Sequence, residues 1–257
     1  MITSPKFLHF ILFFIISVFG TTQLHAGSYQ NFNVHYAWIN NWNDPNHLIR
    51  GKFGRQATPE LEVNFNISEK GLYGYPAILR GSHYGWNPTG DKLFPTQVSS
   101  LKQIPLKFNY TTRGNNMAGN FAYDIFLRND ANGGHPQLEI MIWGDHNSWP
   151  LGEKTASNVL TENGYTFDLW EGYNAAAGYY VYTFVPSNTV GRNLSLPKKG
   201  TLDLNAKPFL SWLNMARGKD NHFNDSMYID VIEAGFEVVG GQGTIKMKAT
   251  IDAQKYL

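Results

Sequence analysis

The sequence contains no cysteine, so neither a disulfide nor a thiolate metal site can hold this fold together. Charged residues are scarce, at 16% of the 257 residues, and the 21 Lys and Arg nearly balance the 20 Asp and Glu. Because the basic residues are scattered rather than clustered, nothing predicts a nucleic-acid partner or an anionic membrane surface. The core must be large enough to be stable through packing alone.

Motifs for several other chemistries are also missing. The sequence has no Gly-x-Ser-x-Gly nucleophile elbow, no His-Glu-x-x-His zinc motif and no glycine-rich phosphate loop before a helix. Its histidines are scattered without the spacing of metal ligands. We therefore expect neither a metal nor any other cofactor.

An apolar run marks the N-terminus. Residues 1–26 carry Lys6 as their only charge, an apolar stretch at 7–20 and a possible cleavage site after Ala26. That stretch is shorter than the roughly 20 residues of a membrane-spanning helix, although a single membrane anchor is the alternative. We expect residues 1–26 to be a signal peptide and residues 27–257 to form a secreted, monomeric domain without stable membrane association.

The rest of the sequence is typical of an all-β domain. Aromatic residues make up 15% of the chain, and short extended runs alternate with turn residues. The predicted strands are 61–67, 104–112, 120–127, 138–143, 165–170, 179–185, 227–239 and 243–251, with turns at 132–134, 163–164 and 240–241. Only residues 208–218 show the apolar spacing of a helix. This pattern predicts a single β-sandwich or jelly roll with one α-helix.

Two strand-forming segments each contain a glutamate. In LEIMIW (138–143) the two-residue period of a strand puts Glu139, Met141 and Trp143 on one face. In AGFEVVGGQG (234–243) Glu237 lies near a strand end, and Glu233 shares its face four residues earlier. A carboxylate beside a large ring is typical of a sugar-binding surface, and two such carboxylates suggest a glycosidase.

These two motifs resemble glycoside hydrolase family 12, a group of retaining endo-β-1,4-glucanases and xyloglucanases. The resemblance extends to GYPAILRGSHYGW (74–86), AYDIFL (122–127) and LWEGYNAAAGYYVYTFV (169–185), and covers roughly residues 70–257. It implies one jelly-roll catalytic domain, in which two packed, curved antiparallel sheets form a cleft. Family members commonly begin with Asn-Asn-x-Trp and often carry an N-terminal disulfide. Here the nearest segment is Asn40-Asn41-Trp42, one residue shorter, and there is no cysteine.

The resemblance implies a role for three carboxylates. Glu139 corresponds to the nucleophile, Glu237 to the general acid/base, and Asp124 to the aspartate that orients the nucleophile. Retention requires the two catalytic carboxyl groups to lie about 5–5.5 Å apart. We expect Glu139 to be ionised and Glu237 to keep its proton, because of charge repulsion and the apolar neighbours Phe236 and Val238.

The expected substrate is a β-1,4-linked glucan, as cellulose, mixed-linkage glucan or xyloglucan. The resemblance implies that Glu233 stands where relatives often carry a substrate-binding glutamine. His146 and Trp149 lie in the loop after the nucleophile strand and are expected to set substrate preference. The full predicted binding set is Trp42, Trp86, Met141, Trp143, Glu233, His146, Trp149 and Trp170.

Two alternatives remain open from the sequence. A jelly roll can serve as a lectin-like glucan-binding protein, because the fold alone does not determine function. A binding module, however, needs neither Glu139 nor Glu237 as a pair. The family 11 xylanases share the fold and the use of two glutamates, but the contexts Glu-Ile-Met-Ile-Trp and Gly-Phe-Glu fit family 12 better.

Overall fold

A computed structural model describes residues 27–55, 58–192, 194–219 and 222–256. The predicted signal peptide, residues 1–26, lies outside these ranges. Within them, no helix has the length and apolar character needed to cross a membrane. The described elements are β1 (Tyr29–Phe32), β2 (His35–Trp38), β3 (Ile49–Phe53), β4 (Glu60–Ile67), β5 (Ala77–Gly81), β6 (Thr96–Gln97), a 3₁₀ turn (Val98–Ser100), β7 (Leu101–Gln103), β8 (Pro105–Arg128), β9 (Leu138–His146), β10 (Glu153–Glu162), β11 (Tyr165–Asn174), β12 (Tyr179–Pro186), β13 (Lys199–Thr201), β14 (Leu204–Asn205), α1 (Lys207–Arg217), β15 (Tyr228–Ile251) and β16 (Gln254–Lys255).

Two long strands, β8 and β15, pair with each other and run through both sheets of the jelly roll. The first half of β15 belongs to the wider sheet, with the order β1-β2-β5-β15-β8-β9-β12-β11-β10, whereas its second half pairs with β4. Among the described strands the pairing is antiparallel, as predicted, except that β12 and β9 run parallel. The jelly roll predicted from the sequence is confirmed.

The predicted turn at 240–241 is wrong. The strands predicted on either side of it form one continuous strand, β15, and its pairing with β8 shifts register between Val238 and Gly240 and again between Gly240 and Gln242. Gly241 has a φ of 89°, a conformation that glycine adopts without steric cost. The glycines therefore bend a strand through β-bulges rather than end it.

The core lies between the two sheets and under the helix. Phe236 on the wider sheet stacks on Phe65 of β4 with ring centroids 6.2 Å apart. The predicted helix is confirmed as α1, with buried residues at helical spacing. One of them, Phe209, meets Phe167 and Phe184 edge-on at 5.1 and 5.0 Å.

A second apolar cluster lines the opposite face of the wider sheet, which we call the site face. Alternation along β8 puts Tyr123 and Ile125 in the core and Ala122 and Phe126 on the site face. The buried members of the cluster are Tyr36, Trp38, Tyr75, Ala77, Leu79, Ala122, Phe126, Met141, Trp143, Trp170, Tyr179, Val181, Val185 and Val231. The candidate site is built on this face.

Candidate active site

Four carboxylic acids gather on the site face from three neighbouring strands. Glu233 on β15 pairs directly with Asp124 on β8, and Asp124 pairs in turn with Met141 on β9. Glu139 lies two residues before Met141 on β9, so the two share one face of that strand. Glu237 lies four residues after Glu233 on β15 and shares its face in the same way. Asp124, Glu139 and Glu233 are buried. The sequence motifs thus come together as one carboxylate cluster.

Tyr75 lies among all four of these groups. Burial, followed by the charges of Asp124, Glu233, Glu237 and Glu139, raises the pKa of its hydroxyl well above the ordinary value. The hydroxyl donates a hydrogen bond of 2.8 Å to the carbonyl oxygen of Ala122. Tyr75 is therefore a buried central member of the site.

Asp124, Glu139 and Glu237 bind protons more tightly than isolated carboxylates would. Burial and then the charges of Glu237 and Glu233 raise the pKa of Glu139 to about 8. Burial and then the charge of Glu139 raise the pKa of Asp124 well above its ordinary value, and burial also raises that of Glu237. Burial thus favours the protonated form of both proposed catalytic carboxyl groups, and the expected division into an ionised Glu139 and a protonated Glu237 stays a prediction.

Glu237 is held by an amide rather than by apolar neighbours. The Asn120 side chain donates from its Nδ2 to Glu237 Oε2 and also, at 3.1 Å, to Ser148 Oγ. Phe236 and Val238, expected to surround this carboxyl group, belong to the core on the opposite face. That expectation is wrong because adjacent residues of a strand point to opposite sides.

Glu233 pairs with a histidine that the sequence did not single out. His83 Nδ1 lies 2.5 Å from Glu233 Oε1, and only 1% of the Glu233 side chain is exposed. The imidazole ring meets Trp38 edge-on at 5.0 Å and Phe126 at 5.8 Å. Glu233, which we expected to bind substrate, thus has an internal partner. The only sequence signal for His83 was its place in the family-like segment 74–86.

A pair of tyrosines reaches the proposed nucleophile. The Tyr84 hydroxyl donates to the Tyr179 hydroxyl at 3.2 Å. A hydrogen bond from Tyr179 to Glu139 opposes the rise in the pKa of that carboxyl group. Sequence reasoning missed both tyrosines, although the alternation in GYYVYTFV placed Tyr179 on the same face as Val181.

Aromatic residues extend the site to both sides of the carboxylates. Toward β2, Trp86 meets Tyr36 and Trp38 edge-on at 5.1 and 5.3 Å. Toward β11, Trp149 is 64% exposed and stands edge-on to the buried Trp170 at 5.7 Å. The site face therefore offers rings on either side of its acidic centre.

The other predicted binding residues differ in accessibility. Met141 and Trp143 are buried on the site face. His146 is also buried; its Nε2 lies 2.7 Å from Thr189 Oγ1, and its ring is 5.3 Å from that of Trp143. Trp42 is 40% exposed, whereas Trp38, four residues earlier and not predicted, belongs to the site-face cluster.

Several buried polar atoms of this face lack an internal partner. Within the described residues, Asp124 Oδ1, Trp143 Nε1 and Trp170 Nε1 make no hydrogen bond. Such atoms are uncommon in folded proteins, because each costs about 1–3 kcal/mol when left unpaired.

Comparisons with known proteins agree on one family. The family model described as Glycosyl hydrolase family 12 matches residues 64–252. The chain is 29% identical over 183 residues to Endoglucanase S of Pectobacterium parmentieri, covering 69% of this chain and 64% of that protein. It is 32% identical over 150 residues to Xyloglucan-specific endo-beta-1,4-glucanase A of Aspergillus niger, covering 57% and 56%. The chain thus spans somewhat under two thirds of the length of these curated relatives.

The fold is also similar to that of solved structures. A family 12 xyloglucanase from Bacillus licheniformis superposes with a TM-score of 0.71 and 23% sequence identity. The superposition covers 90% of this chain and 97% of that structure. At this level of identity the likeness establishes the jelly-roll fold.

Proposed function

Because the chain belongs to glycoside hydrolase family 12, we propose that it is an endo-β-1,4-glucanase acting on cellulose-type, mixed-linkage or xyloglucan polysaccharides with retention of configuration. The observation that carries the proposal is the cluster of Asp124, Glu139, Glu233 and Glu237 on the site face, of which the first three are buried. A glucan-binding module has no use for such a cluster, in which burial raises the pKa of Glu139, Glu237 and Asp124. The curated relatives named above are an endoglucanase and a xyloglucan-specific endoglucanase, which supports a β-1,4-glucan backbone as substrate.

In the proposed reaction two of the carboxyl groups divide the chemistry. In its ionised form Glu139 attacks the anomeric carbon while Glu237 gives its proton to the leaving glycosidic oxygen, so the carbon–oxygen bond breaks and a glycosyl ester forms on Glu139. Glu237 then removes a proton from water, which attacks the same carbon and releases Glu139. Two inversions at one carbon give net retention.

The raised pKa values suit a transition state that carries positive charge. The anomeric centre becomes oxocarbenium-like, and a nearby positive charge favours the ionised form of Glu139. Burial, followed by the charge of Glu139, raises the pKa of Asp124 well above its ordinary value and so favours its protonated form. In that form it can donate a hydrogen bond to a neighbouring carboxylate and so orient Glu139.

The order of the strands favours binding across the sheet and cleavage within a chain. Trp38 and Trp86 lie toward β2, Trp149 and Trp170 toward β11, and the carboxylates on β15, β8 and β9 lie between them. Sugar units on both sides of the broken bond would then meet aromatic rings.

We further propose that the protein is exported as a monomer after removal of residues 1–26. The charge, apolar run and possible cleavage site in that segment support export. Mass spectrometry of the exported protein should give a chain beginning at Gly27. A chain that keeps residues 1–26 in a membrane fraction would instead indicate an anchor.

The decisive experiment is the release of reducing ends by purified residues 27–257 from barley β-glucan, carboxymethylcellulose, xyloglucan and xylan. Glu139→Gln and Glu237→Gln should each lower activity by at least about a thousandfold while remaining folded, because each removes one of the two catalytic groups. Glu153→Gln is the matched control, since Glu153 is exposed on β10. Proton NMR of the first-formed product tests retention.

The outcomes separate the alternatives. Hydrolysis of a glucan that both substitutions abolish supports the enzyme and ranks its substrates. Binding without hydrolysis by the unsubstituted protein would contradict the proposal and favour a lectin. Preferential hydrolysis of xylan would leave the two-carboxylate chemistry in place but overturn the proposed substrate.

A further inference from the structure

Two tyrosines connect a loop to a strand across the site face. Tyr84 follows β5 in the chain, whereas Tyr179 is the first residue of β12. Their hydroxyl oxygens lie 3.2 Å apart, and both rings meet Phe126 edge-on, at 5.9 and 6.0 Å. The ring of His135 lies 5.2 Å from Tyr84 and 5.9 Å from Tyr179. Both rings are therefore fixed by packing, independently of their hydroxyl groups.

The pairing of β12 with β9 directs Tyr179 toward Glu139. In this parallel pair Val181 lies opposite Glu139. Tyr179 is two residues before Val181 and on the same face, so it is the diagonal neighbour of Glu139, a separation that a tyrosine side chain can span. The hydrogen bond between Tyr179 and Glu139 agrees with this placement.

The direction of the hydrogen bonds follows from the number of protons. A tyrosine hydroxyl has one proton to donate and can also accept. Tyr84 donates its proton to the oxygen of Tyr179, so the proton of Tyr179 remains available for the carboxylate of Glu139. Burial, and then the charge of Glu139, raises the pKa of Tyr179 well above the ordinary value, which keeps it a neutral donor. The two bonds run in series, Tyr84 to Tyr179 to Glu139, and each polarises the next.

We propose that Tyr179 is a positioning residue for the nucleophile, anchored by Tyr84: its hydroxyl holds one oxygen of Glu139 and leaves the other to face the anomeric carbon. This inference rests on the proposed role of Glu139. Neither tyrosine needs to contact sugar, since both act through the carboxyl group. Fixing a reacting group in its productive orientation contributes to rate even where binding is unchanged.

Several titratable groups face Glu139 and must be held constant in the test. The groups that act on it directly are Asp124 on β8, Glu233 and Glu237 on β15, Tyr75 before β5 and Tyr84 after it. Next to these, His83 pairs with Glu233, and the ring of His135 contacts Tyr84 and Tyr179. Substituting phenylalanine for tyrosine changes none of these carboxyl groups and preserves the ring packing. The hydroxyl group is then the only change.

The test compares Tyr179→Phe and Tyr84→Phe with the matched control Tyr173→Phe, in protein expressed from the full chain. Tyr173 is an exposed tyrosine on the neighbouring strand β11. We expect Tyr179→Phe to lower kcat on a soluble β-glucan by roughly 10- to 100-fold, with KM within about twofold, because a hydrogen bond to a charged group is lost. Tyr84→Phe should lower kcat by a smaller factor, and Tyr173→Phe should not change it.

A second readout separates positioning from general damage. Loss of the donor should raise the pKa of Glu139, so the acidic limb of kcat/KM should move to higher pH in Tyr179→Phe. The same change should appear in a carbon-13 NMR titration of labelled glutamate, which requires no activity. The Glu139→Gln variant identifies the signal of Glu139.

The NMR titration tests the inference even if the protein hydrolyses no glucan. If the unsubstituted protein hydrolyses no glucan, the proposed function fails, and the NMR titration still tests the contact between Tyr179 and Glu139. An unchanged titration of Glu139 in Tyr179→Phe would overturn the inference. So would a loss confined to KM, or an equal loss in Tyr173→Phe.

Discussion

Removing the charge of the proposed nucleophile should make this protein more stable, and more so as the pH rises. The perturbation is Glu139→Gln, which keeps the size of the side chain and an oxygen that can accept from Tyr179. Burial and the neighbouring charges of Glu237 and Glu233 raise the pKa of Glu139 from 4.5 to about 8. Folding therefore favours the protonated form of this carboxyl group.

The sign and size follow from linkage. A carboxyl group whose pKa is raised on folding contributes most to stability below its unfolded pKa, near 4.5, and loses that contribution as the pH rises through about 8. One pKa unit corresponds to 1.36 kcal/mol, so the raised pKa of Glu139 lowers the free energy of unfolding by about 3 kcal/mol at pH 7 but by only about 1 kcal/mol at pH 5. Glu139→Gln should recover these amounts. For a chain of this size, about 3 kcal/mol raises the melting temperature by roughly 6–12 °C.

Urea unfolding at pH 5, 7 and 8, followed by the fluorescence of the seven tryptophans, would measure the free energy of unfolding. Glu153→Gln serves as the control, because Glu153 is exposed on β10 and should leave stability within about 0.5 kcal/mol at every pH. A Glu139→Gln variant whose stability relative to the unsubstituted protein does not rise between pH 5 and pH 7 would refute the reasoning. The site would then not hold the proton as its burial requires.

Three further predictions concern the site and the core. Glu233→Gln should lower the pKa of Glu139, because the charge of Glu233 helps to raise it. The acidic limb of the kcat/KM profile should then move to lower pH, and a move to higher pH would contradict this. Trp149→Ala should raise KM for long glucans roughly tenfold, about 1.4 kcal/mol, with kcat unchanged, since an exposed ring contributes equally to ground and transition states; a loss in kcat alone would argue against an outer binding role. Phe209→Ala should cost about 3–5 kcal/mol of unfolding free energy in urea, because Phe209 is fully buried between α1 and the wider sheet; a cost below about 1 kcal/mol would mean that the helix is not anchored there.

The fold was predictable wherever a single periodicity dominated. Helix α1 could be found from the spacing of Phe209 and Leu213, because no other segment repeats apolar residues at that interval. The continuity of β15 could not be found, because Gly240 and Gly241 serve equally well in a turn or in a bulge. Only long-range pairing with β8 distinguishes these two cases, and that pairing is not encoded in local sequence.

In the candidate site, the residues that share a strand face could be predicted, but their partners from other strands could not. The two-residue period placed Glu139, Met141 and Trp143 on one face, and their burial in the site-face cluster agrees with this. The partners of the carboxylates could not be predicted, because they arrive from other parts of the fold. His83 comes from a loop 150 residues away from Glu233, and Tyr179 from a parallel neighbour of β9.

The cost of ionising the buried carboxyl groups links the stability of the protein to its proposed reaction. Four carboxyl groups share the site face, and among them Glu233 has a histidine partner. Burial raises the pKa values of Glu139, Glu237 and Asp124, and neighbouring like charges add to the rise for Glu139 and Asp124. Full ionisation of the cluster would therefore have a high cost. A sugar that develops positive charge relieves this repulsion only as the bond breaks. The stability lost in the free protein would thus reappear as preferential binding of the transition state, the kind of binding that accelerates a reaction.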